Sequence, residues 1–147
     1  MSTISHHHLT RSRVRAEVLS DPVAQAFWLL RVGFVVAPIL FGLDTFFDKL
    51  VDWKIYLAPE IDDLIPGNAH QAMLIVGVIE IIAGLVVAVK PRFGGYLVAA
   101  WLAGIIVNLL IIGEYYDVAL RDFGLLIGAL ALARLTAGME GRRTPAQ

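Results

Sequence analysis

The sequence lacks cysteine altogether and has few charged residues. None of its 147 residues is cysteine, and only 17% are Asp, Glu, Lys or Arg. The absence of cysteine excludes disulfides, thiol redox chemistry, iron–sulfur clusters and thiolate metal sites. The scarcity of charge goes with 58% hydrophobic residues and a mean hydropathy of +0.72. This composition is unusual for a soluble domain and typical of an all-helical membrane protein.

Other cofactor and catalytic classes also lack the residues they need. Of the four histidines, only His70 falls in the apolar part of the chain, so a bis-histidine haem site or a zinc site lacks ligands. Histidines 6–8 are adjacent and have no further ligands nearby, which favours a mobile tail. No glycine-rich phosphate loop follows a strand, and no serine lies in a nucleophile elbow. We therefore expect no metal, no resident cofactor and no catalytic activity of the chain alone.

The longest apolar run is the stretch that the rest of the chain must accommodate. Residues 73–89, MLIVGVIEIIAGLVVAV, contain a single ionisable side chain, Glu80, near the middle. The run is about as long as a helix that spans a hydrocarbon core. A carboxylate at that depth is costly unless it faces a partner, another helix or a water cavity. Neighbouring helices are therefore expected to cover the Glu80 face.

The pattern predicts an all-α fold, an integral membrane four-helix bundle over residues 21–137. Ser20-Asp21-Pro22 is a helix start, with a capping side chain followed by proline. Pro38 is expected to kink the first helix. Spans are predicted at about residues 26–47, 70–89, 96–112 and 118–135. They are joined by a loop at 48–68, a tight turn at 90–95 and a polar aromatic turn at 114–117, with polar tails at 1–20 and 138–147 and disorder expected from Thr136 onward.

The distribution of charge predicts the orientation of the bundle. Four spans place both termini on one side, and the segments of that side carry eight basic residues against three on the other side. The positive-inside rule then places both termini in the cytoplasm and the acidic loop outside. The net charge of −1 gives no indication of a nucleic-acid partner. The lipid bilayer is the expected surrounding.

Small residues recur at helical spacing in three of the predicted spans. The fourth has Gly124 and Gly128, the third has Ala99 with Ala103 and Ala100 with Gly104, and the second has Gly77 and Gly84. In lipid, helices associate through close packing and polar contacts, and small residues allow that approach. We expect packing within the bundle, with a homodimer through one of these faces as the alternative.

Polar residues from all four predicted spans converge on the outer half of the bundle. Glu80 lies beneath the others near mid-depth, and the candidate binding cluster comprises Asp44, His70, Glu80, Asn108, Arg121 and Asp122. One interpretation is structural, in which ion pairs and an amide fix the helix register. The other is a headgroup, ion or proton site, because intramembrane carboxylates often mark such sites.

Two arrangements of Glu80 are open. If Arg121 reaches inward, Glu80 is ionised and the pair locks the second span to the fourth. If Arg121 is taken by Asp44 or Asp122, Glu80 is protonated and donates a hydrogen bond, for which Asn108 is a plausible acceptor. The depth of Glu80, roughly 15 Å below His70, favours the second arrangement.

Two further segments have interfacial character. The loop sequence Trp53-Lys54-Ile55-Tyr56-Leu57 is predicted to lie at the membrane surface as an ordered lid over the helix ends. Arg31 lies about five residues into the first span, where it is interpreted as an anchor that snorkels to the headgroups.

Several positions along the membrane part of the chain form a recognisable pattern: Arg31, Gly42 followed by Lys49, EIIAG at 80–84 and DVALRD at 117–122. In this pattern residues 31–135 resemble the DoxX-like family of small bacterial four-helix membrane proteins. The resemblance implies the four-helix fold, a bacterial plasma membrane and a link to quinone-dependent or other redox complexes, and it identifies no catalytic residue. The function expected is that of an accessory subunit of such a complex, with a quinone or lipid as the candidate ligand. The alternatives are a scaffold or assembly factor and a proton or solute conduit that uses Glu80.

Overall fold

The computed structural model describes residues 20–64 and 66–143. Over these residues the chain is helical and forms no strand, which confirms the all-α prediction. Histidines 6–8, most of the predicted N-terminal tail and residues 144–147 of the C-terminal tail lie outside the described residues. The elements are α1 (Pro22–Phe47), a 3-10 helix (Trp53–Tyr56), α2 (Pro59–Asp62), α3 (Ala69–Val89), α4 (Pro91–Ile112) and α5 (Tyr116–Arg143).

Side-chain caps define the first residues of α1 and α3. Asp21 accepts a hydrogen bond from the Val23 amide at 3.0 Å and is followed by Pro22, as predicted. Asn68 accepts from the Gln71 amide at 3.0 Å, and the Gln71 side chain accepts from the Asn68 amide at 3.3 Å. This reciprocal capping box begins α3 immediately after the loop. α1 is one continuous helix through Pro38.

The predicted glycine turn at 90–95 is wrong. Lys90 alone joins the two helices, and α4 begins at Pro91, which needs no amide hydrogen at that position. Gly94 instead lies against α3, where a Cβ atom would come within 2.6 Å of the Val87 Cα. Gly94 therefore allows close packing of α3 on α4 rather than a turn of the chain.

The helix that contains the fourth predicted span extends beyond it, and the tail from Thr136 to Arg143 is helical rather than disordered as predicted from its polar composition. Thr136 is buried, and its hydroxyl donates to the Leu132 carbonyl at 2.8 Å. An exposed ion pair joins Arg92 of α4 to Glu140 of α5 at 3.3 Å. The extension is thus held against α4 by packing on one face and a surface ion pair, although a pair this exposed contributes little by itself.

Close backbone approach at glycines brings α1 onto α3 and α4 onto α5. A Cβ at Gly42 would lie 2.5 Å from the Gly77 carbonyl, and one at Gly84 would lie 2.9 Å from the Val35 carbonyl. A Cβ at Gly95 would lie 2.7 Å from the Ala129 carbonyl. Gly77 and Gly84 thus share the face that meets α1, which confirms the predicted packing within the bundle.

The pair Gly124 and Gly128 behaves differently from the prediction. Only Gly128 packs, against the Phe34 ring of α1, at 3.2 Å from a Cβ position. A Cβ at Gly124 would meet nothing within 4 Å. Phe34 on Gly128 is therefore a contact that closes α1 against α5 near the middle of both helices.

The apolar core lies in the half of the bundle nearest the α3–α4 junction, which we call the junction end. It is built from all four long helices: Phe27, Ala83, Val87, Val98, Ala99, Leu102, Ala129 and Leu132. Arg31 donates a hydrogen bond to the Ala88 carbonyl and lies over the rings of Trp28 (5.1 Å) and Phe27 (5.7 Å). Arg31 thus ties α1 to the last turn of α3, a role more specific than the predicted anchor.

The surface of the bundle indicates a membrane protein. α1, α3 and α4 are each long and apolar enough to cross a membrane. Large apolar side chains remain exposed along them, including Leu29, Ile82 and Val107, each more than half exposed. A soluble protein rarely leaves such continuous apolar surface in water, whereas lipid covers it without cost.

We expect Gly77→Ala to destabilise the bundle by about 1–3 kcal/mol, because the new methyl group would overlap the Thr45 hydroxyl and the α1 backbone. The matched control is Gly33→Ala in α1, where a Cβ meets nothing within 4 Å. Thermal unfolding in mild detergent should show a lower midpoint for the first variant only. Equal midpoints for both would contradict the packing described for α1 and α3.

Candidate functional site

A cavity of about 540 Å³ occupies the half of the bundle opposite the junction end, which we call the loop end. All four long helices line it, and the segment 50–61 covers it. Most of the lining is apolar, and the polar side chains in it include Glu80, Trp101, Asn108, Arg121 and Asp122. Its volume lies in the range of pockets that bind small molecules, about 300–1,000 Å³.

Asp44 holds the first residues of the segment that covers the cavity. Its carboxylate is buried and accepts from the backbone amides of Lys49 and Leu50, each at 3.1 Å, and from the Trp53 indole at 2.7 Å. Asp48 ends α1 in the left-handed conformation, with φ at 47°, which turns the chain toward these donors. Asp44 is therefore saturated by the loop and is not the partner of Arg121.

Asn108 holds the far side of the same segment. Its Oδ1 accepts from the Ala58 amide at 2.9 Å, and its Nδ2 donates to the Tyr56 carbonyl. Ala58 is part of the covering segment and is fully buried. These contacts contradict the predicted hydrogen bond between Glu80 and Asn108, because both ends of the amide are used by loop backbone. They also show that the loop is ordered and covers the helix ends, as predicted.

Arg121 pairs with its neighbour in sequence. Its Nε donates to Asp122 Oδ1 at 3.1 Å, and a terminal guanidinium nitrogen lies 3.1 Å from the same oxygen. Asp122 is buried at 4% exposure, while the Arg121 side chain is 62% exposed. Arg121 is therefore taken by Asp122, as the second predicted arrangement requires, and none of the ion pairs among the described residues joins Glu80 to Arg121.

Glu80 lies half-buried in the cavity wall without a cationic partner. None of the ion pairs among the described residues includes it. Its side chain lies near the Trp101 indole. The Trp101 Nε1 is itself buried and, within the described part of the chain, has no partner that satisfies hydrogen-bond geometry. A donor and a carboxylate thus face the same cavity, each incompletely satisfied.

Trp101 is the site residue that the sequence reasoning missed. An indole nitrogen in the middle of an apolar span needs a hydrogen-bond acceptor, and that requirement was the available signal. The structure separates His70 from the cavity, because His70 is exposed in the first turn of α3 and is not a lining residue. The described residues include no group of three His, Asp or Glu side chains placed to hold a metal ion.

No protein-family model, curated protein or solved structure matches this chain. The function must therefore be argued from the cavity and the groups that line it.

We expect Asn108→Ala to loosen the covering segment, because the buried Ala58 amide loses its acceptor at a cost of about 1–3 kcal/mol. Hydrogen exchange of the amides in residues 56–62 should accelerate. Val107→Ala is the matched control, since Val107 is the neighbouring residue and points away from the core at 56% exposure. Unchanged exchange in Asn108→Ala would show that the amide does not hold the loop.

Proposed function

We propose that the chain is a four-span protein of the bacterial plasma membrane with both termini in the cytoplasm. α5 is then the fourth span, and its 28 residues are about 42 Å long, enough to cross a hydrocarbon core. Two of its charged side chains, Arg121 and Asp122, neutralise each other, and Arg134 lies toward the junction end. Exposed Leu120 and Phe123 give α5 an apolar outer surface.

The orientation can be tested with reporters fused after Gln147 and inserted after Asp63 in the loop. A reporter that works only in the cytoplasm is expected to be active at Gln147 and silent at Asp63, because the basic residues cluster on the terminal side. A periplasm-dependent reporter should give the reverse pattern. Periplasmic activity at Gln147 would refute the topology.

Within that topology, we propose an accessory subunit of a quinone-linked or other redox membrane complex that has no catalytic activity alone. The cavity supports this role, since its apolar walls suit a substituted ring and its polar groups can orient that ring. One quinone carbonyl would accept from the Trp101 indole, and the other from a protonated Glu80. The resemblance to the DoxX-like family points to the same class of ligand.

The scaffold alternative has its own support in the structure. Asp44 and Asn108 form hydrogen bonds with the loop backbone, so these two members of the polar cluster act structurally. Glu80 and Trp101 are not explained in this way. A scaffold needs neither a cavity nor an unpaired carboxylate, which favours the ligand-binding subunit.

Filling the cavity provides the direct test of quinone binding. Gly104 lines the cavity, and a Cβ there would meet nothing within 4 Å, so Gly104→Leu should fill the space without a clash. Gly124→Leu is the matched control, because Gly124 is equally open but does not line the cavity. Both changes remove a helical glycine and should raise helix stability by a similar amount, up to about 1 kcal/mol.

The expected result is that a short-chain ubiquinone analogue binds the wild-type protein and Gly124→Leu in lipid nanodiscs, measured by quenching of tryptophan emission. Gly104→Leu should weaken this binding at least about tenfold, a loss of roughly 1.4 kcal/mol. Equal quinone binding by all three proteins, or binding by none of them, would contradict the proposed quinone site. Crosslinking in native membranes would then distinguish redox-complex partners from a homodimer, and proton flux in liposomes would identify a conduit.

A further inference from the structure

The charge of the cavity depends on one side chain. The titratable or charged groups that line it are Glu80 from α3, Arg121 and Asp122 from α5 and Tyr56 from the covering segment, while the lining residues of α1 and α4 carry none. Arg121 and Asp122 form a neutral pair. An ionised Glu80 would therefore leave the cavity with an uncompensated negative charge, and a protonated Glu80 leaves it neutral.

The cavity that contains this carboxylate is rich in aromatic rings. Phe41, Trp53, Tyr56 and Trp101 all line the cavity. Phe41 and Trp53 lie edge to face with centroids 6.0 Å apart, and the centroids of Trp53 and Tyr56 are 6.2 Å apart. Aromatic faces attract organic cations, and the attraction is strongest where water is excluded. A carboxylate among such rings provides the counter-charge that a lipophilic cation requires.

We propose that the cavity also binds lipophilic organic cations, with Glu80 as their counter-ion, and that each cation bound displaces one proton from Glu80. In the empty cavity a carboxylate without a cation is more stable in its protonated form. A bound cation reverses this preference, because it pairs with the ionised form. The proton and the organic cation thus compete for the same group, and this inference does not depend on the proposed redox role.

The competition predicts a pH dependence with a definite sign. Over the range in which Glu80 is protonated in the empty cavity, raising the pH by one unit should tighten cation binding about tenfold. The binding of a neutral quinone that is held by a protonated Glu80 should weaken, or stay unchanged, over the same range. The pH dependence therefore distinguishes cation binding from quinone binding in one protein. If one of the two ligands does not bind, the other can still be tested.

The experiment uses the full chain in nanodiscs of zwitterionic lipid and methyltriphenylphosphonium as the probe, titrated between pH 5.5 and 8.5 by calorimetry. Triphenylphosphine oxide, a neutral molecule of similar shape, is the matched ligand. The phosphonium should bind more tightly as the pH rises and should release about one proton per cation. The neutral oxide should show neither effect.

Variants separate the site from partition into lipid. Glu80→Gln should abolish the pH dependence and weaken phosphonium binding at least tenfold at pH 8.5, while binding of the neutral oxide shows that the cavity is intact. Glu114→Gln, a change at an exposed carboxylate outside the cavity, should bind like the wild type. If Glu80→Gln does not fold, proton release measured on the wild-type protein still decides the question. Absence of phosphonium binding, or binding without proton release, would overturn the proposal.

Discussion

The bundle depends on backbone contact between helices at glycine. In a membrane the apolar side chains have no reason to leave the lipid, so association must come from close approach and from polar contacts. The glycines at 42, 77, 84, 94 and 95 provide that approach between α1 and α3, between α3 and α4, and between α4 and α5. Any larger side chain at these positions would separate the helices and remove the dispersion contacts that replace hydrophobic burial in lipid.

The close contacts at glycine are distributed unevenly between the filled end of the bundle and the end that holds the cavity. Gly84, Gly94 and Gly95 lie toward the junction end, where a single residue joins α3 to α4. Phe34 on Gly128 closes α1 against α5 near the middle. Beyond that point α4 contributes Gly104 to the lining, without a contact to fill the space. At this end Gly42 and Gly77 still hold α1 against α3, residues of α4 and α5 line the other walls of the cavity, and the loop covers it.

The helical fold could be predicted from sequence because long apolar runs and caps are local signals. The Asp21-Pro22 start and the shared face of Gly77 and Gly84 followed from spacing alone. The start of α4 at Pro91 could not be predicted, because a glycine pair looks the same in a turn and in a tight helix contact. The end of α5 was misplaced for a related reason. The segment from Thr136 to Arg143 is held by tertiary contacts, which its polar composition does not reveal.

The candidate site was harder to predict than the fold. Sequence spacing placed Asp44, Asn108, Arg121 and Asp122 near one another, but it could not assign partners among them. The hydrogen-bond partners depend on the path of the loop, which is set by contacts between residues that are distant in the sequence. Trp101 was overlooked because a tryptophan in a membrane helix is ordinarily counted as apolar, although its nitrogen must still find an acceptor at that depth.

The division of the polar cluster gives its members different roles. Asp44 and Asn108 hold backbone amides that would otherwise be buried without partners, so the structural interpretation applies to both. Asp122 is satisfied by Arg121. Glu80 lines the cavity with neither a cation nor a backbone donor among the described residues, and its side chain faces the Trp101 indole. One indole does not offset the cost of a carboxylate at this depth, and that cost is explained if the molecule that the cavity receives is a further partner of Glu80.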